Sequence, residues 1–338
     1  MEIRVDDVQD ALDQRRSFQE QQQSGLGATD TPKLLGLSKW GSPLSVYQSK
    51  VDPPAPSESS LPAWLGLKLQ STVGELYTAA TGQRLRAANG HYRHKELPFL
   101  VCHLDFKGLH RPGLLVEAKT RAYMKGWGAD GTGEVPDDVW AQCQHEMMVT
   151  GATVTHVAVL FGHHTFRVYE LFRHEDFIAG LIVKLTDFWH NNVLARVPPL
   201  PTGHPMDGQI LADKYPENDP FYRAATPVQM ETVKDYRTAL AREAEAKQQV
   251  ELLKNRLKDV IGDHLGLEGP FGTITWKRTR DSEKVSWEQV AKVYEAALKS
   301  VHASLPETVA AQVAVAQSLF TTPVPGVRRF TTEFKEEA

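Results

Sequence analysis

The chain has 338 residues, of which 41% are hydrophobic and 24% charged, as in an ordinary soluble globular protein, and its formal net charge is −4. This length suits one large domain or two modest ones. Because the net charge is negative, the protein as a whole does not attract DNA, and any DNA-binding surface must be a local basic patch. Cys102 and Cys143 are too few for a disulfide framework and favour a reducing compartment. With no signal-peptide pattern and no bilayer-length apolar run, we expect a cytoplasmic protein with no membrane partner.

Hydrophobic periodicity predicts alternating helices and strands over residues 1–197. This order is typical of an α/β or α+β core. The predicted elements are a helix over 61–80, strands over 99–106 and 113–120 joined as a hairpin, a helix over 137–150, strands over 155–161 and 165–171, and a helix over 174–195.

A change of composition then predicts a Pro-rich, loop-like linker over 198–227 and a C-terminal helical and hairpin module over 228–338. The module begins with a charged helix over 228–260, which either packs on the core or contacts another subunit. A strand pair and a helix over 286–303 follow. The densest basic patch is WKRTR, residues 276–280, which either contacts a DNA backbone or is a strand edge defended by cations.

The stretch LLVEAKT places two charges in an apolar, strand-like run. Side chains alternate along a strand, so Glu117 and Lys119 share one face. If the strands over 99–106 and 113–120 pair antiparallel, one register brings Asp105 beside both. Two carboxylates with open positions suit Mg²⁺ or Mn²⁺.

These residue types favour metal-dependent phosphodiester hydrolysis. A metal ion would stabilise the charge on the phosphate oxygens, and Lys119 would hold or deprotonate the attacking water. Burial and the metal's charge would both lower the lysine pKa, as a base role requires. The other interpretation is a surface ion pair on a half-exposed strand, and the ExK spacing alone leaves both open.

Four stretches in order resemble the PD-(D/E)XK nuclease superfamily, and more narrowly the YqaJ-like phage recombinase family that includes phage lambda exonuclease. The similarity extends over most of residues 24–175. The stretches are GLGATDTPKLLGLSKWGSPLSVYQSK, GLKLQSTVGELYTAATG, HLDF followed by EAKT, and VWAQCQHEMMVTGATVTHVAVLFGHHTFRVYEL.

The resemblance implies a role for each matching residue. Asp105 and Glu117 would be metal ligands, with the carbonyl of Ala118 as a third. Lys119 would position the attacking water, and Gln142 matches a glutamine near the scissile phosphate.

The resemblance is looser at other positions. Thr29 matches a small hydroxyl residue that helps to hold a DNA phosphate. Gln70 stands where the family's helix usually offers a metal-binding Glu, and it would bind the metal through its oxygen or hold a metal-bound water. Glu75 lies on a different helix face and would be solvated. Lys125 and Trp127 would pair with or stack on a DNA strand, although Trp127 fits a packing role equally well.

The implied fold is a restriction-endonuclease-like core, a mixed central sheet flanked by helices, with an appended C-terminal module. The implied activity is Mg²⁺-dependent 5′→3′ digestion of double-stranded DNA ends in phage recombination, with Mn²⁺ as a substitute. The 3′ overhang would pass to a single-strand annealing protein, and a ring-shaped homo-oligomer in the cytoplasm of a bacterial host is expected. Two alternatives stay open: a structure-specific or nicking endonuclease, and a DNA-binding protein whose nuclease site has decayed, as Gln70 would indicate.

Overall fold

The computed structural model describes residues 23–52, 61–88, 90–215, 221, 223–300, 311, 315, 318–319, 321–324 and 328–334. The chain divides into two compact units, Met1–Asp219 and Pro220–Ala338. Within the described ranges, no helix is both long and apolar enough to cross a membrane.

The first unit alternates helices and strands, and it includes two short strands, Leu85–Ala87 and His91–Arg93, that were not predicted. The elements are α1 (Thr31–Leu34), α2 (Pro43–Val51), α3 (Leu61–Thr81), β1 (Leu85–Ala87), β2 (His91–Arg93), β3 (Val101–His103), β4 (Phe106–Gly108), β5 (Leu114–Arg121), α4 (Asp137–Thr150), β6 (Val154–Phe161), β7 (Thr165–Phe172), α5 (Glu175–Phe188), a π-helix (Trp189–Leu194) and α6 (Pro205–Lys214).

A mixed five-stranded sheet forms the centre of this unit, with strand order β1-β4-β5-β6-β7. Strands β5 and β6 are parallel, and the other neighbours are antiparallel. A parallel pair needs a crossover connection, which helix α4 supplies. Strand β6 is buried along almost its whole length, consistent with its apolar sequence. The predicted α/β core with a mixed central sheet is confirmed.

Helix α4 is fixed on two sides by apolar packing. Met147 and Met148 belong to one core cluster, together with Leu26 and Leu100. Val139 and Cys143 belong to another cluster, with side chains of β6 and β7. The helix begins with two acidic residues that complement its dipole and ends at Gly151, whose φ of 72° suits glycine. Its predicted span is confirmed.

Two predictions of local structure are wrong. The strand expected over 99–106 breaks into β3, which pairs with β2, and β4, which pairs with β1 and β5. Asp105 lies at this break. The segment expected to be loop-like contains helix α6, whose first turn includes the buried Asp207. Asp207 accepts hydrogen bonds from Thr202 and Ser42, and these contacts stabilise a helix that composition alone did not indicate.

The second unit begins with the predicted long helix α7 (Pro227–Ile261), capped by Thr226. The expected strand pair is present as β8 (Gly266–Gly269) and β9 (Gly272–Arg278), and the expected helix as α8 (Trp287–Ser300). Three strands were not predicted: β10 (Ser282–Val285), β11 (Thr321–Val324) and β12 (Arg328–Phe334). They form a three-stranded sheet in the order β12-β9-β8 and a two-stranded sheet of β10 and β11.

Candidate functional site

The antiparallel register of β4 and β5 brings the two predicted carboxylates together. Phe106 lies opposite Val116 and Lys107 opposite Leu115, so continuing the register by one residue places Asp105 opposite Glu117. Asp105 Oδ2 also accepts a hydrogen bond from the backbone N–H of Ala118 at 2.8 Å. The break after β3 thus positions this carboxylate against the middle of β5.

Lys119 lies between two acceptors on different elements. Its Nζ donates to Glu117 Oε1 at 2.6 Å and to Gln142 Oε1 on helix α4 at 2.9 Å. Gln142 Nε2 in turn donates to Glu117 Oε1 at 2.7 Å. The three side chains form a closed hydrogen-bonded triangle between the sheet and the helix.

Glu146 is a member of this network that the sequence analysis missed. It lies one helical turn after Gln142, is 1% exposed, and accepts a hydrogen bond from Gln142 Nε2 at 2.9 Å. Gln142 Nε2 is the donor in the contacts with both Glu117 and Glu146, so the amide nitrogen of Gln142 faces these two side chains. The amide oxygen is then left for Lys119. The signal in the sequence was a Gln and a Glu four residues apart, a spacing that makes them neighbours on one face of a helix.

Gln70 reaches the site from helix α3. Its Nε2 donates to Asp105 Oδ1 at 2.6 Å, so its contact with the site is that of a neutral donor to a carboxylate. Glu75, five residues further along the helix, is exposed, as its helix position indicated.

Burial strongly perturbs the acidic groups of the site. Loss of solvent, followed by repulsion from Glu117, raises the pKa of Asp105 to about 8, against the opposing effects of the Ala118 N–H and Lys119. Burial also raises the pKa of Glu146 well above its usual value, and the charge of Glu117 adds to that rise. Asp105 and Glu146 therefore hold their protons more tightly than ordinary carboxyl groups do.

Burial acts on the pKa of Lys119 in the predicted direction, but the charge of Glu117 acts against it. Loss of solvent does act to lower this pKa, but the charge of Glu117 and its hydrogen bond to Nζ outweigh that effect, and the pKa is raised. Lys119 is accordingly a cation that donates hydrogen bonds. It lacks the lowered pKa that a base would need.

The donor set of the site fits a hard divalent cation. Among the residues that the structure describes, no group of three His, Cys, Asp or Glu side chains is arranged to hold a metal ion. A site here would combine the carboxylates of Asp105 and Glu117 with a backbone carbonyl such as that of Ala118, an all-oxygen set of the type that Mg²⁺ uses. The pKa of Asp105 is raised first by burial and then by the charge of Glu117, and the positive charge of such an ion would oppose both effects.

A small cavity of about 100 Å³ adjoins the network and connects it to the N-terminal segment. Thr29 is exposed and lines this cavity together with Gln142 and Glu146. Lys50, only 3% exposed, also lines it and forms an ion pair with Asp30 at 2.7 Å. The structure thus places Thr29 and Gln142 around one cavity.

Buried His145 joins three elements behind the site. Its Nε2 donates to the carbonyl of Val101 on β3 at 2.9 Å, so its Nδ1 accepts from the hydroxyl of Thr31 on α1 at 2.7 Å. Burial lowers the pKa of His145 to about 4, so the ring is neutral near pH 7. This residue was not singled out from the sequence, because its partners are distant along the chain.

Lys125 and Trp127 lie in the loop after β5. Lys125 is exposed. Trp127 is partly buried and packs against Phe161 and Tyr169, with ring centroids 5.5 and 5.2 Å away. These contacts favour the packing role for Trp127 that the sequence left open.

Comparison with known proteins identifies related sequences and structures. The YqaJ protein of Bacillus subtilis strain 168, described as uncharacterized, is 26% identical over 291 residues, which cover 83% of this chain and 90% of that protein. Crystal structures of LHK-Exo, an alkaline exonuclease from Laribacter hongkongensis, match with TM-scores of 0.41 and 0.39 at 12% identity, covering 58% and 57% of this chain and 95% of LHK-Exo. A phage-related exonuclease from Haemophilus somnus matches with a TM-score of 0.34 at 9% identity, covering 50% of this chain and 80% of that protein.

The family comparison agrees with the resemblance found in the sequence motifs. The matching family is described as the YqaJ-like viral recombinase domain, and its match begins before α1 and ends just after α4. It includes Gln70, Asp105, Glu117, Lys119 and Gln142. Residues 17–153 of this chain are therefore similar to the YqaJ-like viral recombinase domain.

Proposed function

We propose that the protein is a Mg²⁺-dependent exonuclease that digests one strand of a DNA duplex end in the 5′→3′ direction and leaves a 3′ overhang. The observation that carries this proposal is the meeting of Asp105, Glu117 and Lys119 at one point of the central sheet. Asp105 and Glu117 are both hydrogen-bonded, and Lys119 forms an ion pair with Glu117. These are the residue types that the sequence motifs associate with phosphodiester hydrolysis. The YqaJ-like domain and the name of LHK-Exo as an alkaline exonuclease point to the same class of enzyme.

Asp105 and Glu117 would hold the metal ion, with the carbonyl of Ala118 as a further oxygen donor. When bound, the ion would supply positive charge that stabilises the developing charge on the phosphate oxygens. Gln70 donates to Asp105 and orients its carboxylate. In this proposal Gln70 is a positioning residue, because its contact is through the amide nitrogen.

Lys119 would orient the attacking water and stabilise negative charge on the phosphate as a fixed cation. Its raised pKa keeps it protonated, so we assign it hydrogen-bond donation in place of proton abstraction. Gln142 and Glu117 hold Nζ in position. Glu146 fixes the orientation of the Gln142 amide and hence the acceptor that faces Lys119.

The cavity lined by Thr29 and Gln142 would receive a phosphate of the DNA strand next to the bond that is cut. Lys125, exposed on the loop after β5, would contact the DNA backbone. We further propose double-stranded DNA ends as the substrate, a single-strand annealing protein as the partner that receives the 3′ strand, and a closed homo-oligomer that retains the DNA.

Digestion of end-labelled linear duplex beside covalently closed circular duplex, each with Mg²⁺ and with EDTA, tests this function. The expected result is metal-dependent release of mononucleotides from the 5′-ended strand of the linear DNA alone. Cleavage of the closed circular duplex would show that the protein is an endonuclease and not an exonuclease. DNA binding without digestion of either substrate would instead indicate a binding protein that lacks nuclease chemistry.

A further inference from the structure

The strand that carries Glu117 and Lys119 continues to a second cation at its end. Glu117, Lys119 and Arg121 are alternate residues of β5, so their side chains leave the same face of the sheet. Arg121 lies two residues, roughly 7 Å, beyond Lys119 along the strand. It is exposed, whereas Lys119 is largely buried. A cation that solvent can reach therefore lies next to the candidate site, on the same face.

The contacts of Arg121 agree with this direction. Its guanidinium carbon is 6.0 Å from the centre of the Trp127 ring, and that ring packs on the apolar cluster that β6, β7 and helix α4 share. One of its nitrogens, Nη1, donates to the backbone carbonyl of Thr120 at 2.9 Å. Within the described part of the chain, Arg121 forms no ion pair with a carboxylate. Because a guanidinium has five N–H donors, most of them remain for a ligand.

Tyr123 lies two residues beyond Arg121 and is 82% exposed. Among the residues that the structure describes, neither its ring nor its hydroxyl has a partner. A tyrosine ring offers a large flat surface that usually packs against other groups. Lys125, two residues further on, is exposed and likewise lacks an ion pair with any described carboxylate. Cations and an aromatic ring thus alternate along this segment, a composition typical of segments that bind single-stranded nucleic acid.

Backbone hydrogen bonds hold the segment on both sides of Tyr123. The N–H of Gly162, in the turn between β6 and β7, donates to the carbonyl of Arg121 at 2.8 Å. The N–H of Trp127 donates to the carbonyl of Met124 at 3.0 Å, which closes a tight turn after Tyr123. A segment that is already ordered loses little conformational entropy when a ligand binds. Tyr123 is therefore presented to solvent from a fixed backbone.

We propose that Arg121 and Tyr123 bind the DNA strand beside the bond that is cut, with Arg121 on a phosphate and Tyr123 stacked on a base. This inference rests on the proposed function, which makes DNA the substrate, and it deepens that function by naming two residues that hold the strand. Arg121 lies one step along the same face from Lys119, so a strand with a phosphate at Lys119 can place a neighbouring phosphate at Arg121. Stacking tolerates every base, as an enzyme that digests DNA of any sequence requires.

The test measures binding of the full-length protein to a fluorescent single-stranded oligonucleotide by anisotropy in EDTA, over about 50 to 200 mM salt. Tyr123→Ala should weaken binding on the order of tenfold and leave the salt dependence unchanged, while Tyr123→Phe keeps the ring and should bind like the original protein. Arg121→Gln should reduce the slope of log K against log salt by about 0.7. Tyr236→Ala is the control, because Tyr236 is 63% exposed on helix α7, and it should change neither quantity.

A fully abasic oligonucleotide of the same length separates stacking from a structural role of Tyr123. Without bases to stack on, Tyr123→Ala and the original protein should bind this oligonucleotide equally, and Arg121→Gln should still reduce the slope. The proposal is overturned if the original protein binds no DNA, if Tyr123→Ala binds like the control, or if its loss is the same on both oligonucleotides. Circular dichroism checks folding, and Tyr123→Gln replaces the alanine variant if that variant unfolds.

The binding assay also separates this proposal from the nuclease proposal, because binding in EDTA requires no cleavage. If the protein cuts no DNA but both variants show the expected binding changes, the nuclease proposal fails and the assignment of Arg121 and Tyr123 stands. If the original protein cuts linear duplex in Mg²⁺ and both variants bind like the control, the nuclease proposal stands and this assignment fails.

Discussion

Lys119 Nζ lies 2.6 Å from Glu117 Oε1, a side chain only two residues away on the same strand. Both side chains are largely buried, with 15% and 7% of their surface exposed. The pair is held from across the site by Gln142, which donates to the carboxylate and accepts from the ammonium. This geometry holds the ammonium group of Lys119 in place as a charged hydrogen-bond donor.

Lys119→Ala should remove cleavage while the protein stays folded. The loss of a fixed cation beside the phosphate should reduce kcat on the order of 10²–10³-fold. Single-turnover digestion of linear duplex measures the rate, and Lys184→Ala, at an exposed position on α5, is the control. Unchanged activity in the Lys119 variant would show that the site is assigned to the wrong residues.

Glu146→Gln should lower activity and raise stability together. The buried carboxyl has a raised pKa because its charged form loses solvent, so a neutral amide is easier to bury. A Gln can donate as well as accept, however, and no longer selects one orientation of the Gln142 amide. We expect kcat to fall about tenfold, with KM little changed and a higher Tm. A fall in Tm parallel to the loss of kcat would point to a structural role only.

Gln70→Glu should increase the affinity for the divalent ion. A carboxylate here would add an oxygen ligand beside Asp105, where the present amide donates a hydrogen bond through its nitrogen. The concentration of Mg²⁺ that gives half-maximal cleavage should fall, and Gln70→Ala should not lower it. If both variants behave alike, Gln70 does not occupy a ligand position.

Metal affinity should rise with pH, because Asp105 must lose its proton to bind the ion. With the pKa raised to about 8, the ionised fraction increases roughly tenfold between pH 7 and pH 9, and the affinity for Mg²⁺ should increase by a similar factor. Calorimetry at both pH values measures this, and Asp105→Asn should remove the dependence. If the Mg²⁺ affinity of the unmodified protein is the same at pH 7 and pH 9, metal binding is not coupled to loss of a proton from Asp105.

His145→Gln should remove a source of acid sensitivity. The folded pKa of His145 is about 4 against 6.5 for an unperturbed ring, so the unfolded chain takes up the proton first as the pH falls. Its contribution to stability is therefore complete above pH 6.5 and is lost as the pH falls towards 4, a loss of about 3 kcal/mol. Gln cannot titrate but keeps a donor and an acceptor for Val101 and Thr31. Urea unfolding at pH 7 and pH 4.5 should show a smaller loss of stability in the variant than in the original protein.

The sequence by itself indicated much of the core and gave one register in which Asp105, Glu117 and Lys119 would meet. Strand alternation placed Glu117 and Lys119 on one face, and the short connection between β4 and β5 favoured an antiparallel pair. Helix α4 was also visible, from its acidic first turn and its terminal Gly151. These features depend on neighbours close in the chain, and local patterns encode such neighbours directly.

Only the tertiary structure decided the roles of Glu146 and His145 and the net pKa shift of Lys119. His145 became interpretable when α4 packed against β3 and α1, contacts that join residues far apart in sequence. Glu146 became interpretable because its partner Gln142 also contacts Glu117 on the sheet. The pKa of Lys119 depends on burial and the Glu117 charge acting in opposite directions, and the distance between the two side chains decides which prevails. Such relationships depend on which distant segments meet, and no local period in the sequence records that.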